Sequence, residues 1–329
     1  MKALHLVEPN KIELVDIPTP QNLKKGEVLI KMAYSPINPS DLAFLTGGYG
    51  VQRPLPTVPG FEGSGEVIAS GGGFYANYLK GKRVACVANN KGDGTWAEYM
   101  LTDATKCVVL SKSVSYEQAS MSFVNPLTAV ELGEMAKKEG YGGIVMDAAA
   151  SSLSKMVLYQ ARKHGLGFAG VVRKESQVQE LHNRRVDLVV NSSADNWKGQ
   201  LKEWAGQYGK ILFLDAVGGG SLPFDILRCL PAQSKMVIYG RLDFENPSVL
   251  SPQDFIFYEY KLEGYWLSKT ASRKSFFKSM SDTRKVQTML KDGFETTIQK
   301  SLPLDNYKEA FELYSKNMSG GKVLFNLNK

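Results

Sequence analysis

What most constrains this 329-residue chain is a regular alternation between about residues 142 and 240. Five short apolar runs, GGIVMDAA, GFAGVVRK, VDLVVNSS, KILFLDAVGG and SKMVIYG, are separated by stretches with helical periodicity. A run that is apolar at consecutive positions suits a strand buried on both faces, and the helices between supply the cover. Strand and helix alternating in this way predict a doubly wound parallel sheet. SSLSKMVLYQARKHG is a helix by its periodicity, with Gly165 as its stop.

The flanking sequence has a different character. MKALHLVEPNKIELVDIP alternates like a strand, and EVLIKMAYSPI, GEVIASGG and KRVACVAN are β-branched or apolar runs punctuated by Gly, Pro and Asn. Their spacing predicts a β-rich barrel or sandwich over the first 115 residues or so. Near Ser115 the pattern changes: SYEQASMSFVNPLTAVELGEMAKK reads as a helix, an Asn125-Pro126 interruption and a second helix. From about Tyr265 the parallel-sheet pattern stops, and two helical stretches lead to a terminal strand, GKVLFNLNK. The expected organisation is 1–118 as the first part of a β-rich domain, 119–264 as a parallel-sheet α/β domain, and 265–329 completing the first.

Composition excludes several classes. Hydrophobic residues make up 43% and charged residues 22%, as in a globular chain with a core large enough to need no disulfides. The net charge of +7 is spread over short groups such as Lys24-Lys25, Lys80-Lys82-Arg83 and Arg184-Arg185. That spread argues against a nucleic-acid surface and suits a phosphate-bearing ligand. No stretch approaches the roughly 20 apolar residues of a membrane span, and the N-terminus does not read as a signal peptide. A cytoplasmic location is expected, with the mitochondrial matrix as the alternative. Cys86, Cys107 and Cys229 are odd in number and far apart, which suits reduced core thiols.

Two strings carry chemistry. The turn after the first strand, Ala148-Ala149-Ala150-Ser151-Ser152-Leu153-Ser154, is where a dinucleotide fold receives pyrophosphate. It lacks the usual glycines, yet every residue but Leu153 is small and the serines can donate. As a string alone it equally describes a serine cap on a core helix. At the end of the second strand, Arg173 and Lys174 stand where a residue selecting between NAD and NADP is expected, and two bases suit a 2′-phosphate.

Together, Asn38-Pro39-Ser40-Asp41, Pro59-Gly60-Phe61-Glu62-Gly63-Ser64-Gly65, Asn125-Pro126-Leu127-Thr128-Ala129, Asp215-Ala216-Val217-Gly218-Gly219, Gly264-Tyr265-Trp266-Leu267-Ser268 and Gly321-Lys322-Val323 run in order along nearly the whole chain. In this the chain resembles the medium-chain dehydrogenase/reductase superfamily, in its quinone-oxidoreductase and 2-enoyl thioester reductase branch. The resemblance implies a GroES-like catalytic domain joined to a Rossmann domain, NADP(H) as cofactor, and a small-molecule substrate. It also implies reduction of an enoyl thioester, enone or quinone by hydride transfer. Tyr49 falls where the enoyl reductases carry a tyrosine that acts on the enolate; its alternative is a packing role on a flexible loop. Asn38 and Asp41 are expected to orient cofactor or substrate while Ser40 or Asp41 caps a helix. Cofactor contacts are implied for Ala216, Val217, Gly218, Gly240, Trp266, Leu267, Ser268 and Lys322, although a lysine at a strand start is more often solvated. Zinc-dependent members place a histidine before the glutamate of the glycine-rich turn, where this chain has Phe61, so no metal is expected. A homodimer is anticipated. The competing reading is a catalytically reduced member that serves as a subunit of a larger assembly.

Overall fold

The alternating region folds into a six-stranded sheet in the spatial order Leu188–Asn191, Gly167–Val172, Gly143–Met146, Ile211–Asp215, Lys235–Ile238, Lys261–Gly264. Every neighbouring pair is parallel. In chain order this is 3-2-1-4-5-6, so the winding reverses between the first strand and the fourth. The computed structural model describes residues 1–51, 53–292 and 294–328. They form two units, 1–125 with 286–329, and 126–285.

Within residues 126–285 the first four strands of the chain bury nearly every side chain, which is why their sequences are apolar without alternation. The sixth strand, Lys261–Gly264, is absent from the five runs read in the sequence. It lies at the sheet edge with all four residues exposed, so nothing required it to be apolar. The helix Ser152–His164 buries Leu153, Met156, Val157, Leu158 and Ala161 and ends at Gly165, whose φ of 66° suits glycine. Its N-cap is Ser151, which accepts the Ser154 N–H at 3.2 Å, an interaction worth about 1 kcal/mol.

Two expectations are corrected here. The helices near the first boundary are Tyr116–Ser120 and Val124–Lys138, so the break falls at 121–123. Pro126 sits inside the first turn of the second helix, where the missing N–H has no partner to lose. The return to the first unit comes at Val286 and not at 265. Side-chain ion pairs hold the intervening segment: Lys274 bonds Glu131 and Asp282, Lys278 and Lys285 bond Glu134, and Tyr265 donates to Glu131 at 2.8 Å. At the other boundary, residues 116–124 stay with the first unit. The Ser64 hydroxyl donates to the Tyr116 carbonyl, and Glu62 accepts from Phe123 and Val124.

The first unit is built on a seven-stranded sheet ordered Ile298–Pro303, Lys322–Asn326, Glu27–Pro36, Glu62–Ser70, Arg83–Val87, Cys107–Val109, with Tyr99–Asp103 also paired to Glu27–Pro36. The first two strands in that order are parallel and the other pairings antiparallel. Glu27–Pro36 has three partners and is buried along most of its length, hence its run of apolar residues. Ile30, Met32, Trp96 and Phe325 are fully buried in the core beneath it. Cys86 and Cys107 occupy opposite positions on adjacent strands, and all three cysteines are buried free thiols. Burial pushes the Cys107 thiol up to about 12, which removes it as a nucleophile near neutral pH. Among the described residues no helix is long and apolar enough to cross a membrane.

Candidate functional site

In the first unit, four polar residues far apart in sequence meet in the interior. Asn38, Asp41, Glu62 and Lys322 are each at most 4% exposed. Asn38 is the N-cap of the helix Pro39–Leu45, with Pro39 as the first helical residue. Its N–H donates to Asp41 Oδ2 at 2.8 Å, and the Phe61 N–H donates to Asp41 Oδ1 at 3.1 Å. The cap is therefore Asn38, not Ser40 or Asp41; Asp41 reaches back from the third helical position in the manner of a capping box.

The Asn38 side chain is used at both ends. Nδ2 donates to Glu62 Oε1 at 3.0 Å, and Oδ1 accepts from Lys322 Nζ. Glu62 Oε2 accepts the N–H groups of Phe123 and Val124, each at 3.0 Å. Burial pushes the Glu62 carboxyl up, opposed by the Lys322 charge and those peptide donors. Burial pushes Lys322 down, opposed by Glu62 and Asp41. Asp41 is pushed up to about 7, chiefly by burial, with the Asn38 N–H pulling it back and the Glu62 charge adding to the rise. Lys322 and Glu62 are linked through Asn38, burial working against both charges while each group's charge favours the other's, beside an acid that takes up a proton near neutrality.

Lys322 is thus not a solvated strand-start charge, since it is buried and bonded. Glu62 was not among the site residues read from sequence. Its signal was available: an acid inside the apolar and small string Pro59-Gly60-Phe61-Glu62-Gly63 has no reason to be solvated. Tyr49 is half-buried after Gly47 (φ 76°), with its ring 5.0 Å from that of Phe61, whose N–H binds Asp41. Arg53 was also missed; its buried guanidinium lies over the Phe44 and Phe61 rings at 5.2 and 5.5 Å.

The second unit presents its candidates at or beyond the C-terminal ends of its parallel strands, the edge at which open α/β sheets bind ligands. The glycine-free turn begins with Ala148 at φ 43°, a left-handed conformation that costs an alanine about 1–2 kcal/mol. The helix then opens at Ser152, and helix geometry leaves the Ser152 and Leu153 N–H groups without an intrahelical acceptor. Across the reversal, the Ala216 and Gly218 N–H groups are bonded to Asp147 and Asp215, at 2.7 and 2.9 Å. A Cβ on Gly218 would lie 2.5 Å from the Gly240 carbonyl oxygen, and one on Gly240 would lie 2.7 Å from that of Ala216. Ala216, Val217, Gly218 and Gly240 are therefore brought together, and both glycines are required by contact.

Arg173 and Lys174 are exposed just beyond the second strand, and Lys174 precedes the helix Glu175–Asn183. Asp243 is held below the usual carboxylate range by Asn246 first, with Arg173 adding to the effect, so an acid lies within electrostatic reach of Arg173. Trp266, Leu267 and Ser268 are half-buried beyond the sixth strand, where Trp266 precedes the helix Leu267–Ser272. Among the described residues, no group of three or more His, Cys, Asp or Glu is placed to hold a metal ion. Small side chains, free helix-terminal N–H groups and exposed bases fit a dinucleotide phosphate.

Comparison with known proteins agrees with this arrangement. Residues 24–112 match the alcohol dehydrogenase GroES-like domain family. The mitochondrial enoyl-[acyl-carrier-protein] reductase of Arabidopsis thaliana is 30% identical over 265 residues, 79% of this chain and 69% of that protein. A Mesorhizobium loti structure with the provisional designation NADPH:quinone reductase is 32% identical, with a TM-score of 0.90 over 99% of this chain and 98% of that one. A mutant enoyl thioester reductase from Candida tropicalis shares the fold at 20% identity and a TM-score of 0.81, over 99% of each chain. The chain belongs to the medium-chain dehydrogenase/reductase superfamily, in the branch of the quinone oxidoreductases and enoyl reductases. Its fold is a GroES-like β-rich domain together with a Rossmann-type parallel-sheet domain.

Proposed function

We propose that this protein is an NADPH-dependent reductase of an activated carbon–carbon double bond or a quinone. The observation that carries the reading is the Ser151-capped helix opening where the strand order reverses, beside loops held close by Gly218 and Gly240. The designations of the plant and bacterial relatives support it. The nicotinamide supplies a hydride from its C4. The Ser152 and Leu153 N–H groups, aided by Ser154, face the pyrophosphate, and Arg173 with Lys174 takes the 2′-phosphate. Ala216, Val217, Gly218, Gly240, Trp266, Leu267, Ser268 and Lys322 complete the cofactor's surroundings. Asn38 and Asp41, whose polar atoms are taken up within the buried cluster, act on the reacting groups through the elements they hold in place. Tyr49 donates its phenol proton to the developing enolate.

A second copy of the chain is the proposed partner. The edge strand Lys261–Gly264 is exposed throughout, and antiparallel self-pairing centred on Leu262 sets Lys261 opposite Glu263. The mitochondrial designation of the plant relative supports the matrix as the alternative to the cytoplasm.

Ala148, an alanine in a left-handed position where this fold favours glycine, supports the second reading, a non-catalytic subunit. Calorimetric titration separates the two. Micromolar NADPH binding, about −8 kcal/mol, is expected, with Arg173→Ala/Lys174→Ala weakening NADPH more than NADH. Absence of binding to folded protein at millimolar NADPH overturns the reductase reading. With a 2-enoyl thioester, Tyr49→Phe should lower turnover roughly 10²–10⁴-fold and leave cofactor affinity in place.

A further inference from the structure

Asp147 follows Met146 and Asp215 follows Leu214, and those two predecessors are paired on adjacent parallel strands, so the two acids are neighbours at the reversal of strand order. Both are at most 1% exposed. Asp147 Oδ1 accepts the Ala216 N–H at 2.7 Å, Asp147 Oδ2 the Val217 N–H at 3.4 Å, and Asp215 Oδ1 the Gly218 N–H at 2.9 Å. Asp215 Oδ2 is buried and receives no hydrogen bond from a group that is a donor in its ordinary ionisation state. The two carboxyl groups stand on neighbouring strand ends, and the Asp215 charge is second only to burial in pushing Asp147 up. Two carboxylates possess only acceptors, so a hydrogen bond between them requires one proton, and two buried negative charges side by side cannot both persist.

We propose that Asp147 is a positioning residue for the cofactor loops, a neutral carboxylic acid that donates its proton to Asp215 Oδ2 while accepting from the Ala216 N–H. This proton ties the 216–218 loop to the end of the first strand, directly before the Ala148 turn. The pair then carries a single negative charge, met by the peptide N–H groups of the 216–218 loop. Burial, reinforced by the Asp215 charge, holds Asp147 protonated well above the usual carboxylate range. Tyr239, beyond the fifth strand, is the third titratable group here. Burial, followed by both carboxyl groups, pushes its phenol up, so it stays neutral.

The proposal rests on the nicotinamide reading for its effect on affinity, and its first test is independent of cofactor. Infrared difference spectra of the cofactor-free full chain at pH 8.5 should show a protonated-carboxyl C=O band that Asp147→Asn removes. Asp215→Asn should remove it too, because the new amide donates to Asp147 and lets it ionise. A wild-type protein without that band, or a band that survives either substitution, overturns the proposal. In the second test Asp147→Asn, a permanent mimic of the neutral acid, should bind NADPH within about threefold of wild type, whereas Asp147→Ala should bind roughly tenfold more weakly. Equal weakening in both variants, each melting cooperatively, overturns the neutral-acid role. If wild type itself fails to bind NADPH, the reductase reading falls and the infrared result alone decides the state of Asp147.

Discussion

In residues 1–125 and 286–329 the buried acids Glu62 and Asp41 lie near the Lys322 ammonium, which reaches them through Asn38. In residues 126–285 the buried acids Asp147 and Asp215 lie side by side, held by peptide N–H groups and by each other. Both clusters withdraw carboxyl groups from water. The difference is the neutralising agent: in the first unit a buried cation stands beside an acid that takes up a proton near neutrality, and in the other a shared proton acts without a cation. A cation comes from a residue distant in sequence and fixes two elements together. A proton needs no partner side chain, but it makes the cluster depend on keeping one acid un-ionised.

The largest break in this comparison is Lys322→Met. Removing the cation leaves Glu62 an uncompensated buried charge, and loss of about 3–5 kcal/mol of unfolding free energy is expected by denaturant titration. A loss near zero would mean that Glu62 is held by its peptide donors and a proton, as in the second unit.

Asp41→Asn is expected to cost about 1–3 kcal/mol, because an amide can accept only one of the two N–H groups that Asp41 now accepts. It also sharpens the comparison through pH. Asp41 is raised from its ordinary 3.8 to about 7, so the folded chain binds a proton in that interval which the unfolded chain has released. The stabilising contribution is full below the ordinary value and is lost as pH rises through about 7. The stability advantage of wild type over Asp41→Asn should therefore shrink between about pH 5 and pH 8, measured by unfolding at a series of pH values.

The smallest expected effect is that of Ala148→Gly beside the proton-sharing pair. Relief of the left-handed alanine outweighs the added freedom of the unfolded chain by at most about 1 kcal/mol. A small rise in melting temperature is expected. A fall would show that the backbone there is not strained.

Much of the second unit was legible because its signals are local. The apolar runs at 143–146, 167–172, 188–191, 211–215 and 235–238, the Ser151 cap and the Gly165 stop each depend on residues within a few positions. The edge strand Lys261–Gly264 was not legible, because an exposed edge imposes no apolar pattern. In the first unit the strands were readable and the charge cluster was not. Asn38 and Asp41 stood out as a turn string, but Glu62 and Lys322 acquire their roles only by meeting in space.

The sequence by itself determined the strand-and-helix order of the parallel sheet, the β-rich character of the flanking segments and, through its motifs in order along the chain, the family. The first two follow from periodicity, capping and turn chemistry, all short-range, and the third from the resemblance those motifs carry. Only the tertiary structure decided that Lys322 is buried, that Glu62 bridges through Asn38 to it, that Asp147 and Asp215 are neighbours, and that the segment 265–285 stays with the sheet. The physical reason is that the charge state of an acid or a lysine depends on how much water distant segments exclude and which partners they bring, and neither is written in its local sequence.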